Sequence, residues 1–179
     1  MAFDVLALAG SLRAASINAA LCRAAVRLAP AGVRVTVFPG LGDLPLFNPD
    51  LEADAPPAVQ ALRSAVGRAH ALLIASPEYA HGISGPMKNA LDWLVSFEGM
   101  VGKPVALFNA SPRAHHADEA LREVLRTMSA TAVPLASPTL PLLGSCTTEE
   151  AMLGDAGVSQ AIRSALAGLE THLAGEPAG

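Results

Sequence analysis

The sequence predicts a three-layer α/β/α fold around a five-stranded parallel sheet of order 2-1-3-4-5. Two observations carry the prediction. Apolar periodicity alternates between strand-like runs and helix-like stripes along the chain, the signature of βαβ units. The strands also differ in how completely they are apolar. Phe3–Ala9, Ala71–Ala75 and residues 105–108 are nearly continuous apolar runs, as strands covered on both faces by helices require. Val33–Val37 instead alternates strictly, and residues 133–142 carry Pro134, Pro138 and Pro141, which a central ladder does not accept. These two segments are expected at the edges, and right-handed crossovers then leave the stated order.

Between the strands lie five amphipathic stripes. Ile17, Ala20, Leu21, Ala24, Ala25 and Leu28 keep the spacing of a half-buried helix, and Ala58, Ala61, Leu62, Ala65, Val66 and Ala69 repeat it. Residues 87–97 form the third helix. Ala117, Ala120, Leu121, Val124, Leu125 and Met128 mark the fourth, and Ile162, Ala165, Leu166, Leu169 and Leu173 the last, after a break at Gly154 and Gly157. The third helix carries two apolar strips: Met87, Ala90, Leu91, Leu94 and Val95 on one side, Trp93 and Phe97 beside them. The second strip needs its own cover, either a second subunit with Trp93 as anchor or the long connection at residues 39–57. The tail after Ala174 is expected to fray.

At 179 residues, 51% hydrophobic and 16% charged, the chain is long enough for one sizeable core and short for two, so a single domain over residues 1–179 is expected. A net charge of -4, evenly scattered, gives no phosphate-tracking surface and argues against a nucleic-acid partner. Absence of a membrane-length apolar run, together with an N-terminus lacking the basic start of an export signal, predicts a soluble cytoplasmic protein. Cys22 and Cys146 form no zinc or redox pattern and are expected to be buried, inert thiols.

In an open α/β sheet, ligands bind beyond the carboxyl ends of the strands where the strand order reverses, here strands one and three, with the loop after strand four adjacent. Residues 10–18, Gly-Ser-Leu-Arg-Ala-Ala-Ser-Ile-Asn, offer two hydroxyls, the Arg13 guanidinium, the Asn18 amide and the free N–H groups of a helix start, a set suited to a terminal phosphate. An ordinary helix cap at Ser16 with a solvated Arg13 is the plainer alternative. Gly40-Leu41-Gly42 is no dinucleotide fingerprint, because Pro45 stands in the third glycine's place, and no Walker loop occurs. The second loop, residues 76–86, runs into a helix capped by Ser84 or Gly85 with Pro86 in its first turn. It offers backbone groups and apolar contacts to a planar heterocycle. A third loop, residues 109–116, closes the far side. Its His115 and His116, with Asp118 and Glu119, match no metal-ligand spacing, and consecutive histidines opening a helix are expected to point apart, so no metal is expected.

Gly-Ser-Leu-Arg-Ala-Ala-Ser-Ile-Asn, followed about 60 residues later by Pro-Glu-Tyr-Ala-His-Gly-Ile-Ser-Gly-Pro-Met-Lys-Asn-Ala-Leu-Asp-Trp, resembles the NADPH-dependent FMN reductases, which include bacterial quinone and chromate reductases. The resemblance implies a flavodoxin-like fold. It further implies that Ser11, Arg13, Ser16 and Asn18 hold the FMN phosphate, with Ile17 among them as a further cofactor-binding position. Pro77, Glu78, Tyr79 and the backbone of Ala80, His81 and Gly82 would then contact the isoalloxazine, with Ser111 of the third loop beside it. The carry-over is uneven. Many members read P-E-Y-N-x-S-x-P-G where this chain has Ala80, Gly82 and Ser84, so side-chain contacts there are weakened. The third loop reads Ser-Pro-Arg-Ala-His-His in place of a glycine-rich turn.

FMN accepts a hydride and passes electrons on, so no acid or base residue is obligatory. The expected reaction is a two-step exchange: NAD(P)H reduces bound FMN, leaves, and is replaced by a quinone or similar small acceptor such as an azo compound, chromate or free flavin. His81 and Arg113 are the candidates for steering the second substrate, against the plainer alternatives of a solvent-facing histidine and a surface ion pair. Dimers or tetramers occur in the resembled family, so a homodimer or homotetramer is expected. The rival readings are a flavodoxin-type electron carrier, which the mild acidity and Arg13 disfavour, and an FMN-binding sensor without nicotinamide turnover.

Overall fold

The computed structural model describes residues 2–142, 144 and 146–175. Its sheet contains β1 (Phe3–Ala9), β2 (Val33–Val37), β3 (Ala71–Ala75), β6 (Pro104–Leu107) and β7 (Thr131–Ala132), all parallel, in the order β2-β1-β3-β6-β7. Taken along the chain, this is the expected order. A separate antiparallel hairpin, β4 (Glu78–Tyr79) with β5 (Gly82–Ile83), lies inside the loop after β3.

The helices are α1 (Ile17–Leu28), α2 (Pro57–Arg68), α3 (Gly85–Leu94), α4 (His115–Thr127), α5 (Glu149–Gly154) and α6 (Ala156–Gly175). Strand alternation divides the core in two. Val5, Ala7, Leu73 and Phe108 face α1, α5 and α6, while Leu6, Leu8, Leu72 and Ile74 face α2, α3 and α4. Leu72 and Leu73 are wholly buried, and cutting either back to alanine costs about 2–5 kcal/mol. Helix α2 buries Val59, which the stripe read from the sequence omits, together with Leu62 and Val66.

Three expectations need correction. The fifth strand is not residues 133–142 but the two residues Thr131 and Ala132 just before them. The prolines turn the following chain into a short 3-10 helix, Pro134–Ala136, and an irregular run. That run stays apolar because Leu140 and Leu142 are buried, their N–H groups donating to the Asn109 and Ala110 carbonyls at 2.7 and 3.4 Å. The break before the last helix falls at Asp155, and Gly157 sits inside α6, while Thr148 caps a short α5 that the sequence reading missed. Helix α6 continues to Gly175, and the tail expected to fray lies, at 176–179, outside the described residues.

The third correction concerns Trp93. It is fully buried, so it is not an available anchor for a second subunit. Residues 39–57 cover it: its Nε1 donates to the Pro45 carbonyl at 2.8 Å, and Phe47 meets its ring edge-on at 5.1 Å. Asn89, one turn before Trp93, completes the fastening. Its Oδ1 accepts from the Phe47 N–H at 2.8 Å and its Nδ2 donates to the Pro45 carbonyl at 3.0 Å. Val95, expected on the first apolar strip with Met87 and Leu91, lies just past the end of α3 and is exposed.

Candidate functional site

Beyond the carboxyl ends of β1, β3 and β6 lies an open cleft of about 310 Å³, at the place where the strand order reverses. Ile17 and Asn18 line it from the first loop, Ser76, Pro77 and Glu78 from the second, and Asn109, Ser111 and Arg113 from the third. The sequence reading thus placed Ile17, Asn18, Pro77, Glu78, Ser111 and Arg113 on one cleft. Ser76 and Asn109 were not singled out, although both stand immediately beyond a strand, where the topology rule points.

Asn18 is the most telling of these residues. It is only 7% exposed, and among the described residues its side chain makes no hydrogen bond and its buried Oδ1 finds no partner. An amide held this way costs free energy unless a ligand meets it. Ser16 is the N-cap of α1, its Oγ accepting from the Ala19 N–H at 3.1 Å, which leaves the hydroxyl proton unengaged by that bond. Ser11 is half-buried, with its Oγ 3.4 Å from the Arg13 N–H, and Arg13 is exposed with no ion pair among the described residues. At this helix start one hydroxyl serves the cap and a second accepts the long Arg13 N–H bond, while the Asn18 amide and the Arg13 guanidinium make no side-chain hydrogen bond among the described residues; Ser11, Arg13 and Ser16 do not line the cleft itself. This set fits a phosphate.

The second loop is shaped by its hairpin. Ala80 and His81 form the two-residue turn, with φ of 49° and 59°. Two successive positive φ values are the type I′ geometry that matches strand twist, and non-glycine residues adopt it at a cost. The turn carries Tyr79, Ala80 and His81 outward, Tyr79 to 57% exposure, and none of these three nor Gly82 lines the cleft.

Glu78 points instead to α4. Its Oε2 accepts the Ala117 N–H at 2.9 Å, and its Oε1 lies 3.4 Å from His81 Nδ1. The α4 helix has no capping side chain of its own, since Ala114 occupies that place, so the second loop supplies the cap for the third. The Ala117 N–H does most to hold the Glu78 carboxyl below the ordinary carboxylate range; partial burial opposes it, and the imidazoles of His116, His81 and His115 reinforce it. The rings of His115 and His116 do not diverge as expected. Their centroids are 4.0 Å apart, and His81 meets His116 edge-on at 4.4 Å. His115 opens the helix, where no preceding turn restricts its side chain. Among the described residues no group of three or more His, Cys, Asp or Glu is arranged to hold a metal.

The third loop is braced from within. The Ser111 N–H donates to Asn109 Oδ1 at 3.0 Å, and the Arg113 N–H donates to Ser111 Oγ at 3.2 Å. Arg113 is exposed at the cleft wall and makes no ion pair among the described residues. Both cysteines are buried away from this chemistry, and burial pushes the Cys22 thiol up to about 12. No helix of the described residues is long and apolar enough to cross a membrane.

An open parallel sheet of this order, with a cleft at its switch point and an anion-ready first loop, defines the flavodoxin-like class of α/β proteins. Within that class the chain belongs to the NADPH-dependent FMN reductase family, whose sequence profile matches residues 3–141. It is 48% identical over 96 residues to a probable NADPH:quinone oxidoreductase 2 of Oryza sativa, covering 51% of this chain and 47% of that one. It is 35% identical over 112 residues to a quinone reductase of Escherichia coli K12, covering 60% of each. The chain thus spans about half to three fifths of the length of these curated relatives. Among solved structures, a flavoenzyme NAD(P)H:(acceptor) oxidoreductase of Paracoccus denitrificans superposes with a TM-score of 0.85 at 25% identity, covering 96% of this chain and 97% of that one.

Proposed function

We propose that this chain is an FMN-dependent NAD(P)H oxidoreductase that passes reducing equivalents from NADPH or NADH to a quinone or similar small acceptor. The observation that carries the reading is the buried Asn18 amide on the wall of the cleft, its Oδ1 without a partner among the described residues, on the same helix-start segment as Ser11 and Arg13 in a chain of this family. Bound there, FMN supplies a hydride acceptor at N5 and a donor to the second substrate. Ser11, Arg13, Ser16 and Asn18 hold the phosphate, with the α1 dipole behind it. Pro77 offers an apolar edge to the ring. The hairpin residues 79–82 do not line the cleft and are assigned to its rim, where His81, with Arg113 on the adjacent wall, would receive the second substrate. Ser111 lies on the opposite wall.

A single domain performs the reaction in this reading, within a homodimer or homotetramer in the cytoplasm; chain length supports the first point and family resemblance the oligomer. Anaerobic titration of the flavin-loaded protein with NADPH and NADH, followed by a quinone, tests the proposal. Bleaching by a nicotinamide and recovery on adding quinone is the expected result. A yellow protein bleached by neither nicotinamide sinks the reductase reading in favour of an electron carrier or sensor.

A further inference from the structure

Beneath the cleft, one hydroxyl joins the loop assigned to the phosphate to the loop assigned to the ring. Ser84 is wholly buried, and its Oγ donates to the Gly10 carbonyl at 2.5 Å. Ser76 Oγ lies 3.1 Å from Ser84 Oγ. A serine has one hydroxyl proton, and that of Ser84 goes to Gly10, so in this contact the donor is Ser76, whose proton has the Pro77 carbonyl at 3.4 Å as a second acceptor. The Gly10 N–H in turn donates to the Ala75 carbonyl at 2.8 Å. The Gly10 residue is therefore gripped on both sides, by the end of β3 and by the start of α3. No side chain fits there: a Cβ on Gly10 would stand 2.6 Å from Ser76 Oγ and 2.9 Å from Ser84 Oγ. Although Ser84 is the N-cap residue of α3, its side chain makes no capping bond. The hydroxyl is diverted from its own helix to the neighbouring loop.

We propose that Ser84 is a positioning residue that fixes the gap between the two loops, so that FMN meets its phosphate site and its ring site as one pre-set pair. The proposal rests on the FMN reading above. A ligand held at both ends gains the full sum of its contacts only when the spacing of the two sites is set in advance; otherwise ordering the loops is charged against binding. A ligand held at one end has no such spacing to satisfy. Loss of the tie must then weaken FMN selectively, leaving riboflavin, which has the ring but no phosphate, nearly unaffected.

Fluorescence titrations of the whole chain with FMN and with riboflavin test this in wild type, Ser84→Ala and Ser76→Ala, with thermal unfolding of each as a check on folding. Ser84→Ala is expected to weaken FMN about three- to tenfold, the range of one net buried hydrogen bond, and riboflavin less than about twofold. Ser76→Ala is expected to change the same ratio in the same direction by a smaller factor, and it carries the test if Ser84→Ala does not fold. Equal weakening of the two flavins in both variants, or no change in either, overturns the coupling while leaving the FMN reading intact. A wild-type chain that binds neither flavin overturns both.

Discussion

The Glu78 carboxylate and the Ala117 N–H, 39 positions apart in sequence, meet at 2.9 Å, and through them the hairpin loop closes the open end of α4. One side chain thus sets the distance between two walls of the cleft. Glu78→Ala removes the cap and is expected to lower the melting temperature by about 2–4 °C for a chain of this size. An unchanged melting temperature in differential scanning calorimetry would refute the capping role.

Acid sensitivity follows from the same carboxyl. Its folded pKa lies below its unfolded one, so its contribution is complete above about pH 4.3 and is lost as pH falls through the lowered folded value. Denaturant midpoints measured from pH 6 downward are expected to fall less steeply below that point in Glu78→Gln, which keeps an acceptor for Ala117 but does not titrate. Parallel curves for the two proteins would contradict the assignment.

Ala80 occupies the first turn position of the hairpin at φ 49°. Asparagine tolerates that conformation better than alanine does. Ala80→Asn is therefore expected to raise stability by about 0.5–1 kcal/mol in urea unfolding. A loss of stability would mean that the turn is not held in this form in solution.

Arg13 is exposed and free of ion pairs among the described residues, so removing it leaves the fold without a missing partner. Arg13→Ala is expected to keep the wild-type melting temperature of the flavin-free protein while weakening FMN by about 1.5–3 kcal/mol, the worth of a hydrogen bond to a charged group. Unchanged FMN retention by equilibrium dialysis would move the phosphate elsewhere.

The sheet was legible because β1, β3 and β6 need apolar residues on both faces and no polar chain can imitate that demand. The last strand was misplaced because residues 133–142 are apolar for another reason: they bury Leu140 and Leu142, and pair with the neighbouring chain only through an isolated parallel bridge between Thr139 and Asn109. The second strip on α3 was visible as a pattern, but a pattern does not name its cover, and Trp93 found it in Pro45 and Phe47 of its own chain. The hairpin escaped notice because its strands are two residues each and its turn lacks the Asn-Gly signal. At the site, loop position together with the family resemblance named Asn18, Pro77, Glu78, Ser111 and Arg113, which line one cleft, and also Ser11, Arg13 and Ser16, which do not line it. The direction in which the Glu78 side chain turns, and the use of Ser84 as a tie, depend on contacts across long sequence separations that no local motif encodes.

The division of the core along β1 limits how this chain can vary. Leu6 and Leu8 serve one layer and the smaller Val5 and Ala7 the other. One residue added or lost within that strand would exchange the two sets, crowding leucines onto the side built for alanine and hollowing the opposite layer. Changes in chain length are thereby barred from the middle of the sheet and confined to its connections, the same segments in which the chemistry resides.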